Sequence, residues 1–170
     1  MDAFEAVRTV LAVRQFQDKP VPPEVVQRVV QAAHLTASSR NGQPWHFVVI
    51  QDRDTLKRIA PLARTGPYVA DAQFAVAVAY DKESPYGLSD TSRAIQSMVL
   101  AAWNDGVGSN WVGFDGTLGD VSAALGLPDN LQLVGVLPFG YPVKKLGKGR
   151  KNRKPIGEVV HRDHFGTPWS

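Results

Sequence analysis

At residues 37–50 the chain reads ASSRNGQPWHFVVI, a polar stretch that runs directly into an apolar one. The polar part offers two hydroxyls, a guanidinium and an amide within four residues, and such groups are directional partners for a flat polar ligand. The apolar part, residues 47–50, is typical of a buried strand. The stretch predicts a loop between a helix and a strand. That loop is either a ligand-binding segment or a turn whose Ser and Asn side chains bind their own backbone.

Helices and strands alternate on both sides of this loop. Before it, a first helix takes its cap from Asp2, and a second begins at residues 22–24. The apolar stripe of the first helix is predicted to consist of Phe4, Val7, Val10 and Leu11. After the loop, we expect helices at residues 52–60, 89–105 and 120–125, and strands at 74–80, 111–112 and 131–139. This order indicates an α/β or mixed α+β fold.

The composition is that of an ordinary soluble globular protein, with 44% hydrophobic and 21% charged residues among 170. Its length fits a single domain, residues 1–170. From about residue 142 to residue 170 the chain is polar, basic and rich in Gly and Pro, and we expect it to form an extended C-terminal arm. No apolar run is long enough to span a membrane, and the N-terminus lacks the pattern of a signal peptide, so the cytoplasm is the expected location. The absence of cysteine excludes disulfides, thiol nucleophiles and cysteine metal sites.

Positive charge is concentrated at residues 144–154, which contain seven cations and no anion. The net charge of the whole chain is only +3, so the other residues together carry −4. A basic segment on an otherwise acidic protein indicates an anionic partner, such as nucleic acid, a membrane surface or a phosphorylated cofactor. A solvated loop is the alternative interpretation.

Several common catalytic sites do not match the sequence. Gly106-Val107-Gly108 lies at the end of a helix, which is the wrong context for a dinucleotide-binding fingerprint. His161 and His164 are spaced to touch one metal, but an isolated pair in a polar tail is a weak metal signal, and no metal is expected. Ser, His and Asp are present without a nucleophile-elbow motif, so hydrolysis is not indicated.

The segment at residues 37–50 resembles the signature of nitroreductase-family flavoproteins, approximately A-P-S-x-x-N-x-Q-P-W followed by a strand. Four more matches follow the family's order: VRQF at 13–16, AIQ with AA at 94–102, the strand ending GYP at 140–142, and RKP with EVV at 153–160. The resemblance covers nearly the whole chain. It implies a mixed central sheet flanked by helices, with the C-terminal arm wrapping the partner in a homodimer.

The resemblance also implies a role for each matching residue. Arg14 would lie beside the pyrimidine edge of FMN, where a fixed cation stabilises the reduced flavin. Ser38, Ser39 and Asn41 would hold the ribityl chain and ring. The backbone N–H groups of Val112 and Gly113 would approach the redox-active nitrogen. Lys151 and Arg153 would bind the phosphate.

Two departures from the family pattern stand out. The family has Arg-Arg-Ser or Arg-His-Ser ahead of its V-R-x-F, and here Val10, Leu11 and Ala12 occupy those positions. Arg8, one helical turn earlier, is a candidate substitute. The stretch at 81–90 is also too short for the helical excursion that covers the flavin in many members, so we expect an open site.

The function implied by the resemblance is that of an FMN-dependent NAD(P)H oxidoreductase. It would reduce nitroaromatics or quinones by ping-pong hydride transfer, with no side-chain acid or base, because the flavin carries the chemistry. One alternative is a non-catalytic flavin or deazaflavin binding module, which the missing Arg/Ser pair suggests. The other is a nucleic-acid binder, which the basic segment supports only weakly because it lacks interleaved aromatic residues.

Overall fold

The computed structural model describes residues 1–113, 118–144 and 151–169. The helices of these residues are α1 (Ala3–Thr9), α2 (Pro23–His34), α3 (Arg53–Ile59), α4 (Gly87–Asn104) and α5 (Leu118–Ala124). The strands are β1 (Trp45–Ile50), β2 (Phe74–Asp81), β3 (Gly108–Ser109) and β4 (Leu131–Gly140). Short 3₁₀ turns lie at Ser39–Asn41, Ala60–Leu62, Pro67–Asp71 and Ile156–Glu158.

The four strands form one sheet in the order β1-β2-β4-β3, and each neighbouring pair is antiparallel. Trp45 pairs with Tyr80 at one end of the β1–β2 ladder, and Ile50 pairs with Ala75 at the other. Ala12 and Ser109 form an isolated bridge in which the two chain segments run parallel. The predicted α+β class is confirmed.

Both faces of the sheet are covered, as the alternation of side chains along β2 makes clear. Phe74, Val76 and Val78 point into a core shared with α2 and α4, and Phe74 stacks on Phe139 of β4 at 4.7 Å between ring centroids. The intervening alanines of β2 face a second core formed with α3 and α5. Because successive residues of a strand point to opposite faces, one continuous apolar strand supplies both cores.

Local sequence signals set several helix boundaries. Asp2 and Asp52 cap α1 and α3 by accepting hydrogen bonds from the N–H groups of Glu5 and Thr55, as expected of Asp at this position. Gly106, with φ of 76°, follows the end of α4, where a glycine tolerates the left-handed conformation. The predicted helices and the strands around β1, β2 and β4 are therefore confirmed to within a few residues.

Two local predictions were wrong. The apolar stripe predicted for the first helix extends to Val10 and Leu11, but α1 ends at Thr9. Within α1, Phe4 and Val7 are 77% and 49% exposed, and Ala6 and Thr9 face the core instead. The predicted strand at 111–112 is replaced by the two-residue β3 at Gly108–Ser109 and a single bridge between Val112 and Val136. Periodicity identifies an apolar face but not which surface covers it, and that difference explains the α1 error.

Candidate functional site

The loop that follows α2 has an unusual backbone. Arg40, Asn41 and Gln43 have φ of 54°, 56° and 47°, in the left-handed region that residues with a side chain seldom adopt. The neighbouring Gly42, which could adopt it freely, has φ of −71°. Within the loop, the hydroxyl of Ser38 accepts a hydrogen bond from the N–H of Gln43 at 3.0 Å. Such conformations persist where surrounding contacts enforce them, and they concentrate at functional sites.

The main anchor of this loop is Asp90, in the first turns of α4. The N–H and the hydroxyl of Ser39 donate to its two carboxylate oxygens at 2.9 and 3.0 Å, and Arg93 also donates to it. Asp90 is only 1% exposed. Burial raises the pKa of this carboxyl, but the hydrogen bonds from Ser39 and the charge of Arg93 outweigh burial, so the pKa lies below its usual range. Asp90 is therefore a buried, ionised acceptor.

A second contact holds the loop from outside. The guanidinium of Arg40 lies over the ring of Tyr86, 5.8 Å from its centroid, and Tyr86 immediately precedes α4. Sequence reasoning missed the role of Asp90, although a signal was present. Asp90 precedes the buried Ala94 and Met98 by four and eight residues, so it lies on the buried face of the helix and needs partners there.

Arg14 lies near the opposite end of α4. The N–H of the adjacent Val13 donates to the carbonyl of Ser109 at 2.9 Å, just beyond that helix. Arg14 lines two open cavities of about 620 and 320 Å³. The larger cavity is also lined by the cations of Arg53 and Lys57 and by the carboxylates of Asp18 and Asp71, and Lys144 lines the smaller cavity. This end of the molecule therefore combines open space with a small excess of positive charge.

Lys151 belongs to the same end. Its ammonium donates to the carbonyl of Val7 in α1, and α1 is joined to α4 where the indole N–H of Trp103 donates to the hydroxyl of Thr9 at 2.9 Å. Burial lowers the pKa of Lys151, and the neighbouring Arg153 lowers it further. Arg153 is exposed, and its guanidinium donates to the carbonyl of Asn152 at 3.1 Å. Residues 145–150 of the basic segment lie outside the described residues.

Arg8, the candidate substitute for the missing Arg/Ser pair, is held in an ion pair. Arg8 forms a two-pronged pair with Glu5, both contacts at 2.7 Å, which binds its guanidinium to its own helix. Asp18, which could have neutralised Arg14, pairs instead with Arg53 at 3.3 Å. The pairing of Arg8 makes it a poor replacement for the Arg/Ser pair missing at residues 10–12.

The segment at Val112 and Gly113 is packed tightly against β4. The N–H of Val112 donates to the carbonyl of Val136 at 3.0 Å, so this amide is already used within the chain. A Cβ added to Gly113 would lie 2.8 Å from the carbonyl oxygen of Val134. A glycine is needed here for close approach to a strand, in addition to any approach to a ligand.

Apart from Val112 and Gly113, which pack against β4, the predicted site residues thus fall into two groups at opposite ends of α4. Ser38, Ser39 and Asn41 lie near Asp90, whereas Arg14 and Lys151 lie near Trp103 and Ser109. The helix rises 1.5 Å per residue, so Asp90 and Trp103 are about 20 Å apart. One chain by itself does not bring the two groups together.

Other candidate sites receive little support. In the part of the chain that the structure describes, no three His, Cys, Asp or Glu side chains converge as metal ligands would. The ring of His161 packs against Phe165, with centroids 4.4 Å apart. Only residues 82–86 connect β2 to α4, so this connection has no helical excursion. None of the helices in the described ranges is long and apolar enough to cross a membrane.

The α+β fold described above is also that of solved proteins named as NAD(P)H nitroreductases. A crystal structure from Bacteroides thetaiotaomicron, named "Putative NADH dehydrogenase/NAD(P)H nitroreductase", matches with a TM-score of 0.88 and 28% identity, covering 96% of this chain and 98% of that one. The nitroreductase family model matches residues 8–86 and 68–141. This chain belongs to the nitroreductase family.

Curated relatives agree with this assignment. A protein of the same name from Methanothermobacter thermautotrophicus is 31% identical over 154 residues, which cover 86% of this chain and 81% of the relative. The FMN reductase [NAD(P)H] of Bacillus subtilis is 24% identical over 177 residues, which cover 91% of this chain and 70% of the relative.

Proposed function

We propose that the protein is an FMN-dependent NAD(P)H oxidoreductase that works as a homodimer, with each flavin lying between the two chains. The observation that carries this proposal is the division of the polar residues between the two ends of α4. In a dimer with a two-fold axis, the loop of one chain and the cations of the other would form one pocket, and the symmetry would repeat that pocket.

The residues present fit the chemistry of FMN. Arg153 and Lys151 are cations suited to a phosphate, and an Arg–phosphate contact is a charge-assisted hydrogen bond. Arg14 lines an open cavity in which other cations also lie, and we assign it to the pyrimidine edge of the flavin. The constrained loop containing Ser38, Ser39 and Asn41 offers polar groups for the ribityl chain and ring.

The assignment for the segment at 112–113 is narrower than the sequence suggested. Because the N–H of Val112 donates to Val136, we assign the approach to the redox-active nitrogen to the backbone of Gly113. The tight fit of Gly113 against Val134 would hold that backbone in place.

Exposed apolar side chains support the dimer. Phe4 and Val7 on α1 and Phe165 and Trp169 in the arm are exposed by 49% to 93% in the single chain. Contiguous apolar patches mark interaction surfaces, and obligate dimers commonly bury more than about 2,000 Å². We assign these side chains to the contact in which the arm of each chain wraps its partner.

When bound, FMN would supply two-electron redox chemistry between NAD(P)H and a small organic acceptor such as a nitroaromatic or a quinone, in a ping-pong order. The chain's own residues bind the cofactor, orient it and leave one face accessible. The short connection at 82–86 has no helix that could cover a bound cofactor, which favours acceptors of varied shape. Because NAD(P)H is a cytoplasmic reductant, we propose that the enzyme works there.

A visible absorption spectrum tests the proposal. Purified protein supplied with FMN should show a bound-flavin spectrum that bleaches when NADH or NADPH is added without oxygen and returns when a quinone is added. Protein that binds FMN but is not bleached by either nicotinamide would be a binding module. Protein that takes up a deazaflavin and not FMN would overturn the cofactor assignment, and colourless protein would overturn the proposal as a whole.

A further inference from the structure

The burial of the Asp90 carboxylate costs free energy, and helix formation does not explain why a charged residue lies there. Asp90 is the fourth residue of α4, and Tyr86, the residue just before the helix, makes no side-chain capping hydrogen bond. A carboxylate that is 1% exposed loses its hydration and must recover that loss through hydrogen bonds. An apolar side chain would serve the packing of this helix face against its neighbours at lower cost. The charge must therefore serve the groups that contact it, and those are Ser39 and Arg93.

The ionised carboxylate determines the direction of these hydrogen bonds. A carboxylate without a proton can only accept, so the hydroxyl proton of Ser39 must point toward Asp90 at 3.0 Å. Arg93, which has donors only, also donates to this hydroxyl oxygen at 3.3 Å and so occupies one of its two lone pairs. The Ser39 oxygen therefore has only acceptor capacity left for anything else that it contacts.

Ser38 has the opposite arrangement. Its hydroxyl oxygen accepts from the N–H of Gln43 at 3.0 Å, and among the described residues it donates to none. Its proton is therefore available for a ligand. Two adjacent serines, which look equivalent in the sequence, differ in direction because only one of them contacts Asp90.

We propose that Asp90 is a positioning residue for the loop at 38–43: it holds the left-handed backbone and makes Ser39 an acceptor for an N–H or O–H group of the bound cofactor, while Ser38 serves as a donor. This inference rests on the proposed function, since the cofactor is FMN there. The flavin has both kinds of group, a ring N–H and ribityl hydroxyls as donors and ring carbonyls as acceptors, so a fixed pair of opposite polarity selects one orientation of it.

Asp90→Asn is the main test. The amide keeps the shape but replaces one acceptor oxygen with a donor, so it cannot accept from both the N–H and the hydroxyl of Ser39. We expect the dissociation constant of FMN, measured by quenching of flavin fluorescence, to rise about tenfold or more, the scale of a lost hydrogen bond to a charged group. The visible circular dichroism of the flavin at saturation should also change, because the ring would sit differently.

Ser97→Ala is the matched control. The hydroxyl of Ser97 is also on α4 and accepts from Thr36 at 2.7 Å, so it links the end of α2 to this helix without touching the loop at 38–43. We expect this variant to bind FMN with unchanged affinity and unchanged circular dichroism. An equal loss in both variants would mean that general destabilisation of the α2–α4 contact is responsible, and would overturn the positioning role.

A double substitution keeps the test decisive if Asp90→Asn folds poorly. Ser39→Ala removes the hydroxyl but leaves the carboxylate, and should itself weaken FMN binding. If Asp90 acts through Ser39, the loss in Ser39→Ala combined with Asp90→Asn will be smaller than the product of the two single losses. Strictly multiplicative losses would overturn the proposal, as would wild-type affinity in Ser39→Ala.

Hydrogen exchange of the ligand-free protein separates this inference from the proposed function. Asp90→Asn should accelerate exchange at the loop amides, beginning with the N–H of Ser39, whether or not FMN is present. Unchanged exchange there would overturn the anchor. Wild-type protein that does not bind FMN would instead overturn the proposed function, and with it the assignment of the ligand.

Discussion

The two ends of α4 hold polar groups in different ways. At its N-terminal end, a buried carboxylate with three donors fixes the loop at 38–43, and Arg40 adds a contact with Tyr86. At its C-terminal end, Arg14 lines open cavities and Lys151 donates to a backbone carbonyl of α1. A neutral hydrogen bond depends on direction and so needs a fixed backbone, whereas a cation attracts a phosphate over a wider range of geometries. The construction of each end fits the kind of contact that we propose for it.

The largest expected effect is the recovery of FMN binding when two variants, each damaged at a different end of α4, form a mixed dimer. One variant, Ser38→Ala with Asn41→Ala, damages only the loop, and another, Arg14→Gln with Arg153→Ala, damages only the cationic end. Each homodimer should bind FMN poorly. When the two are unfolded together and refolded, the mixed dimer should contain one site with both ends intact, and random pairing would restore roughly a quarter of all sites. FMN titration with light scattering measures this.

Failure of the mixture to regain any tight site would mean that each site lies within one chain. A monomer with full flavin occupancy by light scattering would contradict the proposal more directly. The control is the same procedure applied to each variant alone, which should restore nothing.

The next largest effect concerns the phosphate contact. Arg153→Ala should weaken FMN binding by about 1.5–3 kcal/mol, the range for hydrogen bonds to charged groups. Riboflavin, which lacks the phosphate, should bind the variant and the parent equally well. Isothermal titration with both ligands measures the difference.

Lys154→Ala is the matched control for this contact. It removes an adjacent exposed cation, so it reports how much of the loss comes from general positive charge. An undiminished affinity in Arg153→Ala would show that the basic segment is a solvated loop, and equal losses in the two variants would show that it acts on the phosphate only through its overall charge.

The smallest expected effect is on the reduction potential. Arg14 is proposed to fix a cation where negative charge develops during reduction, so Arg14→Gln should lower the potential of bound FMN by tens of millivolts. For a two-electron couple, about 30 mV corresponds to roughly 1.4 kcal/mol. Spectroelectrochemistry of the saturated protein measures it.

Arg8→Gln should leave that potential nearly unchanged, because Arg8 is exposed and already paired with Glu5. An unchanged potential in Arg14→Gln, or an equal shift in both variants, would remove Arg14 from its proposed place. The result would also show whether the cationic end tunes the cofactor or only binds it.

Local signals in the sequence were sufficient for much of the fold. Asp2 and Asp52 mark helix starts, Gly106 follows the end of α4, and the apolar run of β2 identifies a strand buried on both faces. Each signal depends on residues within a few positions of one another, so no knowledge of the rest of the molecule was needed. The family motifs, which follow one another in order, were equally readable.

What the tertiary structure decided involves residues far apart in the chain. Ser39 and Asp90 are 51 positions apart, and only their contact distinguishes the direction of Ser39 from that of Ser38. The N–H of Val112 already donates to the carbonyl of Val136. The loop at 38–43 and Arg14 lie at opposite ends of α4, so the length of that helix separates them. The sequence by itself determined which residue types and which local elements are present. Which of those groups meet, and in which direction each hydrogen bond runs, depends on how the elements pack, because that packing sets the distance between residues far apart in sequence.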